Sequence, residues 1–317
     1  MTDRVGKHAA TEDTAETVIL PAPRKPYENG NGDYGADLPL RRAAGRHAGD
    51  PGVARTDVDS LSSLTNEAEP DPVARAGGAG RPSALRLVWV YPDLLSTYGD
   101  RGNLLVLARR ARLRGIDIEA VEVNSDQPVP RQGDIYLLGG GEDLPQILAA
   151  NRLRNDGGVV AAAEQGAVVF AVCAGYQVLG HAFGGVDGEP VAGLGVLDIT
   201  SGRGDRRGVG ELVADVDPAL SVPRFTGFEN HQGVTRLGSG ARPLAQVTMG
   251  VGNGDGTEGA YAGKILGTYM HGPALARNPG LADLLLSWVV GRLAPLDPEA
   301  EEWASQLRAE RLAAVGG

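Results

Sequence analysis

The sequence predicts an α/β fold: a central, mostly parallel sheet flanked by helices and preceded by a long disordered extension. Three observations carry this. After residue 84, short β-branched apolar runs alternate with helix-length amphipathic segments, as in right-handed βαβ units whose sheet is covered on both faces. Before it, Val, Ile, Leu, Met, Phe and Trp supply only 12 of 84 residues, too few to offset the entropy of ordering the chain. Finally, Gly139-Gly140-Gly141 and Cys173-Ala174-Gly175 each follow directly on an apolar run, at the carboxyl ends of strands where α/β sheets gather their sites.

The elements follow in order. Residues 1–84 are read as the disordered extension, closing at Gly77-Gly78-Ala79-Gly80-Arg81-Pro82. Its 13 acids outnumber its 10 bases, which disfavours a transit sequence, and no apolar h-region marks a signal peptide. Residues 85–292 are the globular domain. Leu85–Tyr91 reads as its first strand, and Asn103–Arg114 as an amphipathic helix with Leu104, Leu107, Ala108 and Ala111 on one face. Further strands are expected at 118–123, 135–138, 168–172 and 265–270. Residues 293–317 form a C-terminal helical extension, in which Pro298–Ala314 is a charged helix with a modest apolar side of Trp303, Leu307 and Leu312. No stretch approaches the ~18 apolar residues of a membrane span. A single cysteine allows no intrachain disulfide, and a net charge of −10 argues against nucleic acid as a partner.

Cys173 is that single cysteine. On a tight strand-to-helix turn its sulfur would leave the sheet edge beside free helical N–H groups, which favour the thiolate. A buried thiol acting as a small hydrophobe is the equal alternative on local sequence. The triple glycine lacks the spacing of a P-loop or a dinucleotide site, and the chain's only lysines are Lys7, Lys25 and Lys264, so no ATP site is expected here. Three glycines can bring N–H groups close to a developing oxyanion, or simply form a tight turn. Among the histidines, His181 falls beyond the sulfur's reach on the following helix. His231 sits in a polar turn suited to a site wall, and His271 emerges at a strand end, where a base belongs.

Together, Leu138-Gly139-Gly140-Gly141-Glu142-Asp143, Val172-Cys173-Ala174-Gly175-Tyr176-Gln177, Gly227-Phe228-Glu229-Asn230-His231 and Gly267-Thr268-Tyr269-Met270-His271-Gly272-Pro273 resemble the class I glutamine amidotransferases of the cobyric-acid-synthase-like branch. That family's domain is flavodoxin-like. Tyr91-Pro92-Asp93 and Tyr98-Gly99-Asp100-Arg101-Gly102-Asn103 are most similar to the glutaminase subunits of lipid II isoglutaminyl synthase within it. The resemblance covers about residues 85–292. It implies that Cys173 attacks the amide of L-glutamine, that His271 moves the protons, and that the backbone of Gly140, Gly141 and Ala174 holds the oxyanion. It assigns the glutamine α-carboxylate to Arg207, with Arg203 and Arg206 as rivals, and adds Gln177, Asn230 and His231 as further substrate contacts.

The resemblance also implies a heterodimer with a MurT-type, Mur-ligase-like subunit. That partner would hold ATP and magnesium and amidate the D-glutamate of lipid II with the released ammonia, in the cytoplasm at the inner membrane face. No cofactor or metal is expected in this chain. Many relatives carry His-Pro-Glu, whose glutamate orients the histidine, but here the run is His271-Gly272-Pro273. The resemblance implies an aspartate from the partner in its place, with Glu229 and Asp100 as alternatives within the chain. Two other readings stay open: amidation of a corrinoid, which would need a fused synthetase domain, and a regulatory or scaffold subunit with an inert cysteine.

Overall fold

The computed structural model describes residues 84–316; the extension read over 1–84 lies, but for its last residue, outside them. The first half alternates as expected: β1 (Leu85–Val90), α1 (Arg101–Arg112), β2 (Ile118–Val123), β3 (Ile135–Leu138), α2 (Asp143–Asp156), α3 (Gly158–Glu164), β4 (Val168–Val172) and α4 (Ala174–Leu179). The second half is richer in strands: β5 (Ala182–Gly184), β6 (Pro190–Ala192), β7 (Ile199–Val216), β8 (Phe225–Leu237), β9 (Arg242–Met249), β10 (Thr257–Ala262) and β11 (Ile265–Thr268). Three helices end the chain, α5 (Ala274–Arg277), α6 (Pro279–Val290) and α7 (Pro298–Ala314).

The strands join in the order β2-β1-β3-β4-β11-β10-β9-β7-β5-β6, with β8 paired to β7. From β2 to β11 every pairing is parallel. This parallel core carries β-branched and aromatic residues because both its faces are covered. Val168, Phe170 and Val172 of β4 pack with Leu104 and Leu107 of α1 and Leu281 and Leu285 of α6. The intervening Val169 and Ala171 pack with Ala149 and Leu153 of α2 and Val159 of α3. Successive strand residues thus enter opposite clusters, the period-two rule at work. Burial of each large side chain stabilises by about 1.5–3 kcal/mol, so the two clusters hold three layers together.

Three elements are bounded differently from the sequence reading, among them the first helix, which runs Arg101–Arg112 and not Asn103–Arg114. The first strand stops at Val90, because Tyr91 turns to φ 51°. The last stops at Thr268 rather than Met270, because the buried Glu258 carboxylate takes both the Thr268 hydroxyl and, at 2.9 Å, the Tyr269 N–H. The long β7–β8 ribbon was not foreseen as strands. Its register slips between Arg203 and Gly208, a bulge that turns the intervening arginines out of the ladder. α7 has no buried residue, and Trp303 is exposed. It is held by charge instead: Arg110 forks onto Asp283 at 2.7 Å and onto Glu301 at 2.5 Å. No helix among the described residues is long and apolar enough to cross a membrane.

Candidate functional site

The register of the parallel core brings three strand ends together. Leu138 of β3 pairs with Ala171 of β4, and Val172 pairs with Thr268 of β11, so the Gly139–Gly141 loop, Cys173 and the chain leading to His271 emerge side by side. Cys173 is half-buried and sits at φ 51°, ψ −108°. A non-glycine residue there stores roughly 1–3 kcal/mol of strain, and the Cys173 N–H bonded to Thr268 O at 2.8 Å holds the turn. Gly175 makes the elbow possible, since a Cβ on it would lie 2.8 Å from Gly139 O.

His271 is fully buried. Its backbone forms an isolated bridge with Phe228 of β8, N–H to O at 2.7 Å in one direction and 3.3 Å in the other. The ring packs edge-on against Tyr98, centroids 5.0 Å apart, and its Nδ1 faces Asp100 Oδ1 at 3.4 Å. Burial pushes this imidazole down, but the nearby Asp100 and Cys173 outweigh burial and push it up to about 10. His271 therefore holds a proton through neutral pH.

The glycines of the loop do something other than expected. The Gly140 N–H donates to Asp100 Oδ2 at 2.6 Å and is occupied by that carboxylate. Gly141 and Ala174 both line the pocket. The loop is glycine because its neighbours crowd it: a Cβ on Gly139 would lie 2.3 Å from Leu95 O, and one on Gly140 would lie 2.7 Å from His271 Cε1.

A pocket of about 130 Å³ opens over Cys173, below the ~300–1,000 Å³ of sites for drug-sized ligands. Its wall offers two acids, Glu142 and Asp143, and two arginines, Arg203 and Arg207, a set that matches an amino-acid zwitterion. Arg203 is partly committed, 3.3 Å from Asp143. Arg207 donates to Asn230 Oδ1 at 2.7 Å, and Asn230 in turn donates to the Tyr98 hydroxyl at 2.7 Å. Arg206 lines a neighbouring depression and not this pocket.

Gln177, Asn230 and His231 all line the pocket, but two of them are engaged inward. Gln177 accepts from Gln146 at 2.8 Å and donates to the Tyr269 hydroxyl at 3.0 Å. His231 stacks on Tyr269 at 3.8 Å, with its nitrogens against Gly233 O and Glu229. Both brace the wall from within, and the Gln177 amide keeps a second N–H beyond these bonds. His181 lies past the end of α4, exposed and paired to Asp198. Sequence reasoning missed Thr97, Tyr98 and Gln146 as wall residues. Tyr98, at a strained φ of 55°, was signalled only by its place in the Tyr98–Asn103 run.

Comparison with known proteins agrees with this geometry. The CobB/CobQ-like glutamine amidotransferase domain matches residues 86–279. The chain is 34% identical over 225 residues to the GatD subunit of lipid II isoglutaminyl synthase (glutamine-hydrolyzing) of Staphylococcus aureus, covering 69% of this chain and 90% of that protein. The same subunit of Streptococcus pneumoniae is 33% identical over 255 residues, covering 74% and 92%. Cobyric acid synthase of Sphingopyxis alaskensis is 33% identical over 180 residues, but these are only 34% of its length.

Proposed function

We propose a mechanism and a pathway role for a chain that belongs to the CobB/CobQ-like glutamine amidotransferase family and is a glutamine-hydrolysing enzyme. Glutamine lies in the pocket with its α-carboxylate on Arg207 and its α-ammonium toward Glu142 and Asp143. The Cys173 thiolate attacks the side-chain amide carbon, and the N–H groups of Gly141 and Ala174 hold the resulting oxyanion. His271 gives its proton to the departing ammonia, leaving a γ-glutamyl thioester. Water then attacks the thioester while His271 takes back a proton, and glutamate and the thiol are released. The observation that carries this reading is the adjacency of the Cys173 elbow and His271, through the β4–β11 register.

The ammonia serves an ATP-dependent, MurT-type Mur-ligase-like partner, which converts the D-glutamate of the lipid II stem peptide to D-isoglutamine in peptidoglycan synthesis. Near-full-length similarity to two GatD subunits supports this over corrinoid amidation, since the cobyric acid synthase is matched over only about a third of its length. The test is glutamine hydrolysis and lipid II amidation by the chain co-purified with its partner. Cys173→Ala should abolish glutamate release while amidation from added ammonium persists. Unchanged hydrolysis would remove Cys173 from the mechanism, and a corrinoid synthetase as the co-purifying protein would overturn the pathway role.

A further inference from the structure

We propose that Glu258 is a positioning residue for glutamine hydrolysis: from the start of β10, its carboxyl holds the segment Thr268–Met270, which sets both the Cys173 elbow and His271. The inference rests on the glutaminase reading and deepens it. Glu258 does not line the pocket over Cys173, so it acts through these residues and not on the substrate.

The need for it arises where β10 and β11 part. Their last backbone pair toward the site is Ala260 with Gly267, and the same register carried further would set Glu258 opposite Tyr269. The ladder does not continue, because Gly259 turns to φ 55° and its carbonyl is taken by Asn253 Nδ2 at 2.8 Å. Tyr269 is fully buried, and its N–H would be left without a partner, which is costly. The Glu258 side chain stands in for the missing rung. Its Oε1 accepts the Tyr269 N–H at 2.9 Å and also the Thr268 hydroxyl, and that hydroxyl accepts the Met270 N–H at 3.0 Å.

The hold reaches both reacting residues. Thr268 O accepts the Cys173 N–H at 2.8 Å, and Met270 leads directly into His271, whose N–H goes to Phe228 O at 2.7 Å. Every N–H from Tyr269 to His271 is thus fixed by this carboxyl, by the hydroxyl it orients, or by Phe228. An acid is a costly side chain for the place. Glu258 is fully buried, its Oε2 takes no hydrogen bond among the described residues, and burial pushes the carboxyl up to about 7. Leucine would fill a similar space without that penalty. What leucine cannot supply is the acceptor at Oε1, and the acceptor is what the strand end uses.

The experiment uses the chain in complex with its partner, reads glutamine hydrolysis, and pairs each variant with a thermal melt. Glu258→Leu removes the acceptor and keeps the bulk. It should lower kcat roughly 10- to 100-fold, as misplacing reacting groups by ~1 Å does. KM for glutamine should change less than kcat, because Arg207, Glu142 and Asp143 stand on other elements. Glu258→Gln keeps an oxygen for Thr268 and Tyr269 and should recover most of the rate. Wild-type kcat in folded Glu258→Leu, a KM that rises as much as kcat falls, or a Glu258→Gln as slow as Glu258→Leu overturns the proposal. Should Glu258→Leu not fold, Thr268→Val decides, since it removes the hydroxyl between Glu258 and Met270. Its kcat should fall about 10-fold with KM again changed less; wild-type kcat, or loss of the fold in that variant too, overturns the proposal by making the tie one of stability alone. Cys173→Ala is run alongside. If that variant retains hydrolysis, the glutaminase reading itself fails; if it is inactive while Glu258→Leu is normal, only the role of Glu258 fails.

Discussion

Gly140→Ala should damage catalysis by a displacement whose size follows from three distances. The new methyl would lie 2.7 Å from His271 Cε1, 2.8 Å from Thr97 Oγ1 and 3.3 Å from Asp100 Oδ2. Ordinary contact begins at 3.4 Å, so the imidazole must retreat by about 0.7 Å. Its backbone is bridged to Phe228 and its far side carries Tyr98, so it cannot retreat freely. Misplacing a reacting group by ~1 Å costs on the order of 10²-fold, and overpacking a tight site costs about 1–3 kcal/mol in stability. We therefore expect kcat for glutamine hydrolysis by the complex to fall about 10- to 100-fold. KM should change less than kcat, because the closest overlap is with His271, although Thr97 of the pocket wall must also give way. Steady-state kinetics at neutral pH, paired with a thermal melt, checks both effects. A variant that melts lower but keeps wild-type kcat would refute the reasoning, showing that His271 need not stand where it does.

Two further predictions follow from the wall and from the core. Arg207→Lys should raise KM for glutamine by roughly 10- to 100-fold with kcat nearly kept, since a lysine cannot fork onto a carboxylate; an unchanged KM would take the α-carboxylate away from Arg207. Burial raises Glu258 from 4.5 to about 7, so its folded form resists ionising and wild-type stability should decline as pH rises from 4.5 through 7. Glu258→Gln should flatten that decline between about pH 5 and 8 in melting experiments, and an unaltered slope would show that another group is responsible.

How much of this was legible in the sequence depends on the range of the interactions. β2, β3, β4 and α7 begin and end at the expected residues, because their boundaries are set by local apolar runs and nearby breakers. The β7–β8 ribbon escaped notice because Ser201-Gly202-Arg203-Gly204-Asp205-Arg206-Arg207-Gly208 has neither alternation nor β-propensity; cross-strand pairing over a bulge makes it a strand. The candidate nucleophile and base were visible as residues at strand ends. Which acid faces His271 was not, because Asp100 and His271 are distant in the chain and meet only through the packing of α1 on the chain after β11. The use of the triple glycine was likewise hidden, since crowding by Leu95 and His271 leaves no mark on local sequence.

The bridge between Phe228 and His271 has a thermodynamic consequence. It ties the imidazole's backbone to the antiparallel ribbon, while the chain just before it belongs to the parallel core. Fraying of either part alone cannot release the His271 amide to exchange with solvent unless this shared rung opens as well. The amide should then exchange with the slow, cooperative class of the sheet and not with the fast class of surface turns. The backbone of His271 is thus shared by two parts of the sheet, and conditions that loosen it are expected to open both.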